Sequence, residues 1–415
     1  MKIAIVTQYF YPENFIINDM VLELAGLGHE VEVFTGRPNY PDGEIFPGYD
    51  VDGTTSETWQ HGVVVHRTPL RPRKAGGAKN LLLNYGSFVY NGLRHFSGLR
   101  KQSTFDVILV FAVSPMTAAI PAILLKYRSK AHLMIWVQDL WPESLRATGF
   151  ISNRFLLWCT GLLVRSIYSL TDTLLVQSRA FIEPVARYAK RSKIVYYPNS
   201  YKVTESLNDA EAVNGLAGLL SVLQSNFCVV FAGNLGTAQS LDSVVEAARL
   251  LRHLERFKIV LVGSGSRSDW VAEEIDRLGL DNLMLAGRFP GTSMPQIFSA
   301  SQALLVTLRP DEIFSYTIPS KIQAYMAAGI PIIAGLDGEG ARVVLEAGAG
   351  LCSDAGDASM LAHNIETLYN ATPEARADMG RRGREYFEAH FEMHSQCERL
   401  LEIFESRIAA KDLVK

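Results

Sequence analysis

Residues 2–35 read KIAIVTQYFYPENFIINDMVLELAGLGHEVEVFT, and this stretch decides the fold class. KIAIVT and EVEVFT are short, apolar and β-branched, whereas Ile17 to Leu27 repeats its apolar residues at helical spacing. The unit is therefore strand, helix, strand, with the two strands parallel. Further strands are expected at Gly62 to Arg67, Asp106 to Phe111, Ala131 to Val137, Asp172 to Val176 and Lys193 to Tyr196, with helical patterns between most of them. After Tyr197-Pro198-Asn199-Ser200 comes a polar stretch with Glu205, Asn208, Asp209 and Glu211, and then the series starts afresh. Its strands are expected at Phe227 to Ala232, Lys258 to Val262, Asn282 to Ala286, Ala303 to Thr307, Ile330 to Ala334 and Gly350 to Cys352. The expectation is an α/β protein of two doubly wound parallel sheets. Residues 1–200 form one domain and 201–390 a second, while 391–415 form a C-terminal helix that packs back towards the first. Two such sheets facing each other would leave a cleft at the carboxyl ends of their strands, where chemistry belongs.

Charge excludes one large class of function. With 40 Lys and Arg against 43 Asp and Glu, the net charge of −3 gives no basic domain for nucleic acid. Cys159, Cys228, Cys352 and Cys397 lie too far apart for a CxxC pair or a zinc cluster and suit a reducing cytoplasm. No secretory h-region follows Met1, and the longest apolar run, Phe155 to Val164, is far shorter than the ~20 residues that span a bilayer.

Four turns follow strands of the second series: FAGNLGTAQSLDS (231–243), LVGSGSRSDW (261–270), LAGRFPGTSMP (285–295) and TLRPDEIFSYTIPSKIQAYMAAGIPII (307–333). In the last, Pro319 suits the first helical position, and Ser320 and Lys321 then lie in a first turn whose backbone N–H groups lack partners. Such a turn binds anions, Lys321 adds a full charge, and Arg309 is a second candidate for the same anion. The ordinary alternative is a solvated lysine at a helix start. Gly233, Gly236, Gly263 and Gly265 allow close backbone approach. Neither GxGxxG nor GxxxxGK[ST] is present, so a dinucleotide fingerprint and a P-loop are both excluded.

Taken in order, these turns resemble glycosyltransferase family 4, retaining transferases of the GT-B fold that hold a nucleotide-sugar donor in the C-terminal lobe. QYFYPENFIINDMVLELAGLGHEVEVFTG, GRPNYPDGEIFPGY, VQDLWPES, FAGNLGTAQSLD and TIPSKIQAYMAAGIP carry the likeness over nearly the whole chain. They are similar to a bacterial subgroup of fucosaminyltransferase-like and colanic-acid-type exopolysaccharide enzymes. The resemblance implies donor contacts at Gly233, Asn234, Gln239, Gly263, Gly265, Arg288 and Arg309, and at Ser315, Tyr316, Thr317, Ile318, Pro319, Ser320 and Lys321. It implies a nucleotide-sugar substrate, UDP-linked, and no metal or other cofactor. The sequence departs from the family where Asn234 and Gln239 replace an Arg and a Lys, and where Tyr316 and Ala324 replace two glutamates.

Asp139, directly after a strand, is the candidate to orient or deprotonate an acceptor hydroxyl, against the alternative of a helix N-cap. Glu13 and Asn14 on the first loop are candidate donor or acceptor contacts, against plain turn formation. Asp50 and Asp52 form a DxD string outside the strand ends and read as solvated loop. Residues 67–101 lack acidic side chains but carry Arg67, Arg71, Arg73, Lys74, Lys79, Arg94, Arg100 and Lys101 among many apolar ones, a pattern for peripheral contact with an anionic membrane. The resemblance adds a lipid-linked saccharide acceptor, such as one on polyprenyl diphosphate, on the cytoplasmic face of the inner membrane. The alternatives are a noncatalytic nucleotide- or partner-binding subunit and a nucleotide-sugar epimerase.

Overall fold

A computed structural model describes residues 1–50, 52–74, 76–96, 104–203 and 214–412. The chain divides into two units, Met1–Asn199 with Met393–Lys415, and Ser200–Glu392. In the first, β1 (Lys2–Val6), β2 (Glu30–Gly36), β3 (Thr55–Thr58), β4 (Val64–Thr68), β5 (Val107–Ala112), β6 (His132–Val137), β7 (Thr173–Val176) and β8 (Ile194–Tyr196) form one sheet, ordered β3-β4-β2-β1-β5-β6-β7-β8. In the second, β9 (Phe227–Ala232), β10 (Phe257–Val262), β11 (Leu283–Gly287), β12 (Ala303–Thr307), β13 (Ile332–Gly335) and β14 (Gly350–Ser353) are ordered β11-β10-β9-β12-β13-β14. The second sheet is parallel throughout, with Val230 opposite Val260 and Leu304 opposite Ile332.

Every residue of β5 and β6 is buried, which is why β5, and β6 after His132, are continuous apolar runs: helices cover both faces of a parallel sheet. The edge strand β3 was not expected. Its residues, TSET, have no apolar alternation, and β3 pairs antiparallel to β4. It is held from the side instead, where Arg37 donates to Thr55 Oγ1 at 2.7 Å and Glu57 pairs with Arg67 at 2.7 Å.

The Met393–Asp412 helix belongs to the first unit. Met393, Cys397, Leu400 and Phe404 enter its core beside Trp136 and Tyr197, and the Tyr197 hydroxyl donates to the Gln396 carbonyl at 3.0 Å.

The basic segment 67–101 is more committed to packing than its composition implied. Arg67 is buried, donates to the Tyr11 carbonyl at 2.7 Å and lies over the Tyr49 ring. Arg73 lies over the rings of Tyr9 and Tyr40. The Ala78–His95 helix buries Asn84, Phe88 and Gly92, leaving Leu82 and Tyr90 as its exposed large apolar residues among those described. Arg100 and Lys101 lie outside the described residues. No described helix is long and apolar enough to cross a membrane.

Candidate functional site

The carboxyl ends of β9, β10 and β11 are closed by Gly233, Gly263 and Arg288, and these line a cavity of about 920 Å³ within the second unit. Two glycines let the strand ends meet. Gly263 has φ +139°, and a Cβ there would fall 1.9 Å from the Gly233 carbonyl oxygen. Gly233 has φ +141°, and a Cβ there would fall 2.7 Å from Lys321 Cε. Gly265 is equally constrained, since its Cβ would meet the Leu235 backbone at 2.5 Å. The glycines thus make a floor of bare backbone, with Gly233 also leaving room for the lysine above it.

That lysine comes from the Ser320–Ala328 helix. Pro319 sits at its N-cap rather than at the expected first helical position, because its ψ of 134° is extended. Ser320 and Lys321 are consequently the first two helical residues, and their N–H groups precede the first intrahelical bond, from Ile322 N–H to the Pro319 carbonyl at 2.9 Å. The helix is pinned to the sheet by the buried Tyr325. Its hydroxyl accepts from Ala232 N–H at 3.1 Å and donates towards the Leu305 carbonyl at 3.3 Å. Tyr325 was not singled out in the sequence, although its position one turn after Lys321 places both on one face.

Lys321 is a half-buried lysine whose hydrogen-bond and ring partners include no carboxylate. Its Nζ donates to Gln239 Oε1 at 2.7 Å and stands 3.5 Å from the centre of the Phe231 ring. Burial lowers its pKa from the ordinary 10.5 to about 7, because neither neighbour carries a compensating charge. Gln239 thus serves as the neutral holder of Lys321.

Among the described residues the charged side chains lining the cavity are Arg288, Lys321 and Arg384, and no Asp or Glu lines it. Arg384 has no local sequence signal: it reaches the site from the Pro373–His390 helix, donating also to the Ala327 carbonyl. Asn234, Ser264 and Ser320 add polar edges, and Phe289, Met294 and Phe298 an apolar wall. A cavity of this size, lined by apolar, polar and cationic side chains with Lys321 and the bare N–H groups at one helix start, can hold a nucleoside diphosphate.

Several expected contacts lie elsewhere. Arg309 is exposed and outside the cavity lining, its N–H donating to the Ala238 carbonyl at 2.9 Å. Ser315, Tyr316, Thr317 and Ile318 also fall outside the lining. Asp311 caps a short helix, Glu312–Ser315, which turns this segment on itself: Ser315 Oγ donates to the Glu312 carbonyl at 2.7 Å and the Tyr316 hydroxyl to Glu312 Oε1 at 2.5 Å. Ala324 lines the cavity without a carboxylate.

In the first unit, Asp139 follows β6. It is not a helix cap: its Oδ2 accepts Ser114 N–H at 2.8 Å, fixing the loop after β5. Asn14 is exposed, whereas Glu13 is buried and braces the backbone. Its Oε1 accepts from Asn39 and Tyr40 N–H, both at 2.8 Å, and its Oε2 from Phe10 N–H at 3.0 Å. Burial raises its pKa to about 7 against the pull of those three donors. Glu13→Ala would leave the three N–H groups without their acceptor, and chemical denaturation is expected to show a loss of about 2–5 kcal/mol. Asp50 and Asp52 are exposed.

Comparison with known proteins gives this geometry its context. Residues 15–200 match the family model of the glycosyl transferase 4-like domain, and residues 222–386 that of glycosyl transferases group 1. The putative colanic acid biosynthesis glycosyl transferase WcaI of Escherichia coli K12 is 23% identical over 339 residues, 79% of this chain and 82% of the relative. Among solved structures, Anabaena HepE in complex with UDP superposes with a TM-score of 0.67 at 16% identity, over 98% of this chain and all of the other. Sucrose-phosphate synthase from Thermosynechococcus elongatus does so with a TM-score of 0.73 at 16% identity, over 99% and 100%. The two Rossmann-like sheets and these neighbours show the GT-B fold, and the two matching family models in succession, with the E. coli relative, show that the chain belongs to glycosyltransferase family 4.

Proposed function

We propose that this glycosyltransferase moves a sugar from a UDP-linked donor to a lipid-linked saccharide during assembly of a bacterial surface polysaccharide, with retention at the anomeric carbon. The observation that carries the donor assignment is the cavity whose described charged lining is Arg288, Lys321 and Arg384, above a floor of glycine backbone. The structures of Anabaena HepE in complex with UDP and with UDP-glucose support the choice of nucleotide, and the likeness to the putative colanic acid biosynthesis transferase of E. coli supports a polysaccharide product.

As the bond from the anomeric carbon to the diphosphate breaks, negative charge gathers on the leaving oxygen. The helix N-terminus at Ser320 and the Lys321 ammonium stabilise that charge without reorganising. The acceptor oxygen then bonds to the anomeric carbon on the face the diphosphate leaves, so no protein nucleophile is required. Its proton passes to a diphosphate oxygen. Asp139, with Oδ1 beyond its bond to Ser114, is the proposed group for orienting the acceptor hydroxyl. No step requires a metal.

A screen of UDP-, GDP- and dTDP-sugars with lipid-linked acceptors tests this reading, with the product's anomeric configuration read by proton NMR. Turnover with a UDP-sugar and an unchanged anomeric configuration is the expected result. Inversion would overturn retention. Nucleotide binding without turnover on any acceptor would favour the noncatalytic subunit, a reading that draws on the absence of carboxylates from the described cavity lining.

A further inference from the structure

The Arg154–Leu170 helix of the first unit is apolar on two opposite sides. Its inner side buries Gly161, Val164, Ile167 and Tyr168. Its outer side exposes Phe155, Trp158, Leu162 and Leu163 at spacings i, i+3, i+7 and i+8, with Leu156 and Leu170 beside them. Trp158 is 60% exposed and Phe155 67%, and their rings stack on each other 5.9 Å apart. A contiguous outward stripe of this kind marks a surface that something covers.

Charge beside the stripe identifies the cover. From Ser144 to Thr171 there is no acidic residue, and Arg154 and Arg165 share one edge of the helix, next to Trp158 and Leu162. Along that edge a second cavity, of about 400 Å³, is lined by Arg165, Ser169, Arg187, Lys190 and Lys193 among others, with no carboxylate in its described lining. Arg165 donates to the Arg187 carbonyl at 3.1 Å, tying the helix to the basic 186–193 segment. Arg187 and Lys190 are exposed, Arg187 standing 3.9 Å from Glu143, and Lys193 donates to the Tyr168 and Ser169 carbonyls near the end of the helix at 3.2 and 3.0 Å and to that of Thr171 just beyond it at 2.6 Å.

We infer that the outer face of the Arg154–Leu170 helix, with the basic cavity at its edge, docks on an anionic bilayer, the aromatic and leucine side chains entering the acyl boundary and the cavity taking lipid phosphate. An apolar face flanked by cations and bearing an indole suits the interface plane. A second copy fits less well, because an antiparallel two-fold contact through this face would set its basic edge against an identical one. The inference does not depend on the acceptor, since vesicle binding needs no substrate and can fail or succeed independently of transfer.

The test floats the full chain with vesicles of phosphatidylcholine alone and of phosphatidylcholine with about one phosphatidylglycerol in three. The wild type is expected to partition at least about tenfold more onto the anionic vesicles, with the excess lost in high salt. Phe155→Ser with Trp158→Ser, and separately Arg187→Glu with Lys190→Glu, are each expected to lower that partition about tenfold or more. Leu82→Ser with Tyr90→Ser, on the Ala78–His95 helix, should leave it unchanged. Quenching of Trp158 fluorescence by brominated lipid, read as wild type against Trp158→Phe, follows insertion without destabilising the fold. The inference is overturned if the wild type does not float, if either pair of changes leaves flotation intact, or if light scattering shows a dimer that the Phe155 and Trp158 changes dissociate.

Discussion

Lys321→Met is expected to lower kcat/KM by about 10²–10³-fold while making the protein more stable at neutral pH. The two effects share one cause. The ammonium is largely withdrawn from water and met by the neutral Gln239 and the face of Phe231, so the fold bears its desolvation. A depression from 10.5 to about 7 corresponds to a penalty of order a few kcal/mol. Between these two values the unfolded chain holds more protons than the folded one, so this contribution to stability improves as pH rises from about 7 to 10.5 and is worst below 7. Methionine keeps the stem and removes the charge. Thermal unfolding at pH 7 should therefore show a gain for Lys321→Met that shrinks towards pH 10, while a UDP titration shows a loss. The same protonation gives the ligand a sign. Diphosphate favours the charged lysine, so UDP affinity of the wild type should fall as pH rises above about 7, with proton uptake on binding visible as a buffer-dependent enthalpy. A UDP affinity and transfer rate unaltered in Lys321→Met would remove Lys321 from the diphosphate site.

Gly263→Ala is expected to destabilise the second unit by about 3 kcal/mol or more and to abolish nucleotide binding. The added Cβ would lie 1.9 Å from the Gly233 oxygen, 2.9 Å from its carbon and 3.4 Å from its nitrogen, at a φ of +139°. All three are backbone atoms of a strand end held by the Gly233 N–H bond to the Val262 carbonyl at 2.8 Å, so neither side can yield. Gly236→Ala is the informative contrast. Its Cβ would meet Asn234 Nδ2 at 2.6 Å, but that is the tip of an exposed side chain, and Gly236 has an ordinary φ of −98°. A loss below about 1 kcal/mol is expected there. Urea denaturation of the two variants, with a UDP titration of whichever folds, separates backbone closure from simple crowding.

These variants mark how far the site was legible in the sequence. Gly233, Gly263, Gly265, Arg288, Ser320 and Lys321 sit at strand ends or a helix start, and all six line the cavity. Their positions follow from the strand and helix pattern, because an open parallel sheet gathers its carboxyl-end turns on one edge. Arg309 obeys the same rule and still falls outside the lining, since β12 ends where Arg309 N–H is tied to Ala238. Residues 315–318 were displaced by a local competitor, the Asp311 cap that folds the preceding residues into a short helix. Glu13 reads as a donor or acceptor contact and Arg67 as part of a membrane-facing basic segment, and both are buried, Arg67 by stacking and ion pairing and Glu13 by three backbone N–H groups.

The sequence by itself determined the parallel strands of both sheets, though not the antiparallel edge strand β3, because strands buried on both faces are mostly apolar runs and those runs are visible in one dimension. It also placed a cation and two bare N–H groups at one helix start, since Pro319, Ser320 and Lys321 are neighbours in the chain. Only the tertiary structure decided what surrounds that cation. Gln239 lies 82 residues away and Phe231 comes from β9, and desolvation depends on which distant groups close over a charge. The outer face of the Arg154–Leu170 helix was settled in the same way: its apolar run is plain in the sequence, but which side stays uncovered depends on what packs against the other.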